Sequence, residues 1–150
     1  MKLAEALNLR ADTAKRLSQL SERLAANAKV QEGDSPAEDP SELLEELDRL
    51  TKQLEDLISR INLTNSKTLY EGKSLTEMIA AKDTLSLKSS ILRNFLSSAS
   101  AKTDRYSNKE IRVVSTVNVR ELQKSSDEIS EEIRKLNVKI QELNWSTDLI

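Results

Sequence analysis

Histidine and cysteine are both absent from this chain of 150 residues, and the two absences remove most enzyme chemistries before any motif is sought. Without imidazole there is no general base titrating near neutrality, no Ser-His-Asp triad and no histidine metal ligand. Without thiols there is no disulfide framework, and zinc, haem and iron–sulfur ligation lose their donors. The Glu-x-x-His pairs that build a di-iron centre in a helical bundle are missing for the same reason. Glycine and proline are nearly as scarce, at Gly33, Gly72, Pro36 and Pro40. Two isolated glycines cannot cradle a phosphate, and no Walker or dinucleotide pattern occurs. No catalytic residue, cofactor site or metal site is expected.

Large side chains are also few. Phe95, Trp145, Tyr70 and Tyr106 are the aromatic 3 % of the chain, against 37 % apolar and 32 % charged residues. Such a composition cannot fill a wide globular core, although it can fill narrow Leu/Ile seams between helices. The longest apolar run is Met78–Ala81, far short of the ~18 residues that span a bilayer. Glu5 and Arg10 stand where an export signal would need an unbroken apolar stretch. A cytoplasmic protein with no membrane segment is the expectation, which makes the glycosylation-like triplets Asn62-Leu63-Thr64 and Asn144-Trp145-Ser146 chance matches.

What the chain does have is a spacing. About residues 2–31 carry Leu3, Leu7, Ala14, Leu17, Leu24 and Ala28 at alternating three/four intervals, widened by Ala6 and Leu20 and interrupted by Arg10 and Ser21. About residues 40–65 carry Leu43, Leu47, Leu50, Leu54, Leu57 and Ile61 without a polar intruder. About residues 75–99 read Leu75, Met78, Lys82, Leu85, Ser89, Leu92, Leu96 and Ala99, and about 119–144 read Leu122, Ser126, Ile129, Ile133, Leu136, Ile140 and Leu143. A mean spacing of 3.5 keeps one seam turned to a partner helix. Four segments showing it argue against disorder, which few aromatics and high charge would otherwise suggest. The fold class is mainly α, an antiparallel four-helix bundle or pair of long coiled-coil hairpins in a single domain, residues 1–150.

The helix starts are legible as caps. Asp39-Pro40-Ser41-Glu42, Ser74-Leu75-Thr76-Glu77 and Asn118-Val119-Arg120-Glu121 each place a short polar side chain before the first turn and a glutamate inside it. The cap oxygen accepts from a free amide of that turn, worth ~1 kcal/mol. Gly33 suits the left-handed residue just past the first helix. Between the third and fourth helices, Ile111, Val113, Ser115 and Val117 alternate with Arg112, Val114 and Thr116, which reads as one short β segment near 111–117. A lone strand leaves amides unpaired. Its partner would be Thr68-Leu69-Tyr70 or the same segment of a second subunit.

Charge is partitioned. Residues 32–59 hold ten acidic and two basic residues, so the second helix needs a basic neighbour, a role the first and third can fill. Glu32, Asp34, Glu38 and Asp39 form an acidic loop, 32–39, that offers oxygen ligands to calcium or magnesium but follows no EF-hand register. Lys102, Arg105, Lys109 and Arg112 surround Tyr106, the ingredients of a phosphate-contacting patch. Asp104, Glu110 and a pI near 5.4 favour a solvated loop, and no nucleic-acid partner is expected. Polar residues at seam positions (Arg10, Ser21, Lys82, Ser89 and Ser126) commonly set register and oligomeric state. The first and third helices, with these gaps and with alanines in their seams, are expected to be subunit interfaces or exposed faces.

Five short stretches carry a family likeness: Asn27–Gly33 (NAKVQEG), Ala37–Pro40 (AEDP), Arg60–Asn65 (RINLTN), Val114–Val117 (VSTV) and Ile140–Trp145 (IQELNW). Through them the chain resembles, essentially end to end, a family of small bacterial helical proteins that are mostly uncharacterised, some labelled septicolysin. The label implies a pore-forming or membrane-active toxin, and the resemblance supplies no functional residues. The residues themselves point to a non-enzymatic scaffold or interaction protein that forms a homo-oligomer, with a further protein partner possible. The alternatives are a septicolysin-like toxin and a divalent-ion-binding protein using loop 32–39.

Overall fold

A computed structural model of the chain describes residues 1–101 and 111–150. About three-quarters of the described residues are helical, which makes the protein mainly α. The elements are α1 (Leu3–Ala26), α2 (Pro40–Lys67), β1 (Leu69–Tyr70), β2 (Lys73–Ser74), α3 (Leu75–Ser100) and α4 (Val119–Ser146). They fall into two compact units: Met1–Leu75 with Gln141–Ile150, and Thr76–Ile140.

In the first unit α1 and α2 lie antiparallel, with Arg23 at the end of α1 meeting Glu38 just before α2 and Glu46 in its second turn. Leu20, Leu43 and Leu50 form the packed centre, with Leu17, Leu24 and Leu47 half-buried against it. Burying each of these leucines contributes roughly 2 kcal/mol. Along α2 the seam is the one its spacing predicts, with Leu43, Leu50, Leu57, Ile61 and Thr64 buried.

Along α1 the seam is not the expected one. Leu3, Ala6, Thr13 and Leu20 are buried, while Arg10, Ala14 and Ser21 are exposed. Three/four spacing admits two neighbouring registers here. The observed one buries Thr13 in place of Ala14 and Leu20 in place of Ser21, and the Thr13 hydroxyl donates to the Leu9 carbonyl at 2.7 Å. Ser21 is therefore not a seam residue, while Arg10, one heptad from the buried Leu3 and from the half-buried Leu17, keeps its seam position with its side chain exposed.

Helix α1 also stops early, at Ala26 rather than near residue 31. Asn27 ends it: its side-chain amide donates to the Arg23 carbonyl at 2.8 Å, and its side-chain oxygen accepts from the Glu38 amide at 2.9 Å. One side chain thus closes the helix and holds the returning chain. Gly33 does take a left-handed conformation, φ +90, but in the loop rather than at the helix end.

Asp39 caps α2, accepting from the Ser41 amide at 2.9 Å, and Asn118 caps α4, accepting from the Glu121 amide at 3.2 Å. Helix α3 begins at Leu75, directly after Ser74. The β structure is a hairpin, Leu69 opposite Ser74 and Tyr70 opposite Lys73. Glu71 (φ 50) and Gly72 (φ 80) form its two-residue turn, and two positive φ values give the twist that joins antiparallel strands. The segment 111–117, expected as the β element, forms no strand. Thr68–Tyr70 is spent on the hairpin, where the Thr68 carbonyl accepts from the Leu75 amide at 2.9 Å, so the partner proposed within the chain is already taken.

The first unit is closed by its two ends. The Leu3 amide donates to the Thr147 carbonyl and the Leu149 amide to the Met1 carbonyl, both at 2.9 Å. Lys2 pairs with Asp148 at 2.9 Å, and the buried Thr64 hydroxyl accepts from the Ile150 amide at 3.1 Å.

Candidate interaction surface

The second, acidic helix does find its basic neighbour in α1. Arg23 approaches the Glu38 carboxylate closely enough for two nitrogens to donate, Nη2 at 2.6 Å and Nε at 3.1 Å. Its Nη1 reaches Glu46 at 3.4 Å, and Arg16 reaches the same carboxylate at 3.6 Å. The hydrogen bond from Arg23 holds the Glu38 carboxyl below the ordinary glutamate range, partial desolvation opposing it. The same bond raises the Arg23 guanidinium. Lys2 likewise lowers Asp148 by hydrogen bonding to it. These pairs are part-exposed and orient α2 on α1 rather than build a reactive centre.

Of the acidic loop, Glu38 is held by Arg23 and Asp39 caps α2. No group of three or more carboxylates that could hold a metal ion gathers among the described residues. The glycosylation-like triplets lie inside helices, with Thr64 and Asn144 both buried. Of the basic run, Lys102, Arg105, Tyr106 and Lys109 lie outside the described residues; Arg112 is exposed.

In the second unit the feature with no structural employment is on α3. At about 100° per residue, the expected seam occupies one side: Met78, Ser89 and Leu96 are buried, and Lys82, Leu85 and Leu92 half-buried. Ser126 on α4 is also buried. The far side of α3 is apolar as well. Leu87 is 63 % exposed, Ile91 60 % and Phe95 44 %, one turn apart and so in a row. Beyond Phe95 a hollow of about 260 Å³ is lined by Phe95, Ala99, Val113 and Val114 among others. Val113 and Val114 extend this apolar surface, and both are largely exposed.

A second apolar flank lies on α2 in the first unit. Leu44 and Ile58 are exposed, and Thr51, Leu54, Glu55, Ile58 and Ser59 line an open depression. Spacing alone does not single out either surface, because the seam carries the strongest periodic signal in each helix. The sequence signal of the α3 row is the recurrence of Leu87, Ile91 and Phe95 every four residues.

Comparison with known proteins places this geometry in a setting without an assigned role. A family model described as a family of unknown function, DUF6847, matches residues 10–149. No curated protein matches. The crystal structure of a functionally unknown conserved protein from Corynebacterium diphtheriae superposes with a TM-score of 0.91 at 44 % identity, over 100 % of this chain and 99 % of that one. None of these descriptions carries the lytic label implied by the resemblance to septicolysin.

Proposed function

We propose that this chain, which belongs to the DUF6847 family of unknown function, is a non-enzymatic helical interaction protein that self-associates through the outward face of α3. The observation that carries the reading is the row Leu87, Ile91 and Phe95, exposed on the side of α3 away from its buried seam. Apolar surface left in water forgoes about 25 cal/mol per Å², and contiguous apolar surface, unlike single exposed residues, marks a binding site. A helix that needed only its own core would carry polar residues there. The polar seam residues Lys82, Ser89 and Ser126, of the kind that set oligomeric state, support the same reading. The absence of histidine and cysteine, with Glu38 and Asp39 engaged in structure, supports a role without catalysis.

Light scattering of the purified protein across micromolar concentrations tests it. The expected mass exceeds one chain and rises with concentration, and the Leu87→Ser/Ile91→Ser variant stays monomeric with unchanged helicity. A parent protein that is monomeric throughout removes the reading. A membrane-active role would turn the same face to lipid, although no helix among the described residues is long and apolar enough to cross a membrane. Dye release from anionic vesicles, absent for the double-serine variant, would favour that role instead.

A further inference from the structure

The two apolar surfaces share one pattern with opposite charge. On α3 the row begins Leu87-Lys88-Ser89-Ser90-Ile91, and on α2 the flank reads Leu54-Glu55-Asp56-Leu57-Ile58. Each is leucine, charge, two residues, isoleucine, so in both helices the apolar pair stands one turn apart with the charge on the same flank of it. Lys88 and Glu55 are both exposed. Neither is joined by an ion pair to a described residue, while the adjacent Asp56 is already held by Arg60 at 3.4 Å. Around the α3 row, residues 84–101 contain two cations, Lys88 and Arg93, and no acid, whereas residues 44–58 of α2 contain five acids and two cations.

Antiparallel helices bring the same flank of each together, whereas parallel helices bring opposite flanks together. Two helices carrying one pattern with its charge inverted therefore match when antiparallel, Leu87 against Ile58, Ile91 against Leu54, and Lys88 against Glu55. Both surfaces belong to every copy of the chain, so one copy can offer what another accepts. From this complementarity we infer that the α3 face of one copy docks antiparallel on the Leu54–Ile58 flank of α2 in a second copy. The inference rests on the self-association proposed above and names the surface that receives the α3 row. The apolar residues supply the adhesion, and the Lys88–Glu55 pair sets the register and rejects misaligned docking.

Charge exchange tests it on the full chain, with dissociation constants read by sedimentation equilibrium and helicity by circular dichroism. Both positions are solvent-facing, so the folded chain tolerates either substitution. Lys88→Glu and Glu55→Lys should each weaken self-association roughly five- to tenfold, since each sets like charges together. The double variant should return to within about twofold of the parent, which is the signature of direct coupling. A double variant no tighter than the weaker single variant overturns the inference. If Leu87→Ser/Ile91→Ser abolishes association while Lys88 and Glu55 show no coupling, the α3 face still self-associates but its receiving surface lies elsewhere. A parent that never associates ends both readings.

Discussion

Helices α2 and α3 are similar in length and both contain regular leucines, yet they use them differently. In α2 the apolar residues form one broad stripe, its centre buried against α1 through Leu43 and Leu50 and its margin grading into Leu54 and Ile58. In α3 they occupy two sides, Leu96 and Met78 buried on one, Leu87 and Ile91 in water on the other. The contrast shows that an apolar repeat reports a need for burial without saying which neighbour meets it. The fold satisfies the centre of the α2 stripe but neither its Ile58 margin nor the second stripe of α3.

The contrast can be broken most severely at the buried end. Leu50→Asp should cost about 4 kcal/mol or more, because it sets an unpaired carboxylate in the packed centre of the first unit. Loss of helicity and of a cooperative melt is the expected outcome, and an unchanged melting curve would refute the register. Next in size is the cap. Asp39→Ala removes the acceptor for the Ser41 amide and should lower stability by about 1 kcal/mol in chemical denaturation, with no effect on assembly.

At the exposed end the order of effects reverses. Leu87→Ser/Ile91→Ser should leave the melting temperature of the dilute, dissociated chain nearly unchanged, within about 0.5 kcal/mol of stability, while removing self-association. A large destabilisation instead would mean that these side chains belong to the core.

The smallest effect concerns pH. Glu38 is more acidic in the folded chain than when unfolded, through the hydrogen bond from Arg23. Its contribution is complete above the ordinary glutamate value and disappears as pH falls through the lower folded value. The difference in melting temperature between parent and Glu38→Gln, present at neutral pH, should shrink to nothing as pH falls below the ordinary glutamate range. A difference that persists in acid would assign the effect to packing.

Local features were the most legible. Asp39 and Asn118 cap the helices they precede in sequence, and the α2 seam runs as its spacing requires, because a cap or a half-heptad repeat acts over neighbouring residues. The errors sit where a distant partner chooses. Ser21 gives its seam place to Leu20 once α2 selects the adjacent register, and Arg10 keeps its place but turns its side chain to water. Asn27 ended α1 five residues early because the Glu38 amide, eleven residues on, was there to bind it. The strand expectation for 111–117 was drawn from its β-branched residues, but Thr68–Tyr70 pairs instead across the Glu71-Gly72 turn, the shorter closure. The exposed row of α3 is legible only in part: Leu87, Ile91 and Phe95 recur every four residues, but spacing alone does not say that the other side of the helix is the one buried.

The sequence by itself determined the helical class, three of the helix starts, the partition of charge and the chemistries that no arrangement of this chain can perform, since each depends on residue identity or on intervals within one or two turns. Only the tertiary structure decided which side of α1 faces α2, which carboxylates are tied to Arg23, and that α3 keeps an apolar row in water. Those outcomes depend on how segments far apart in the chain meet, and a periodic pattern is compatible with more than one such meeting.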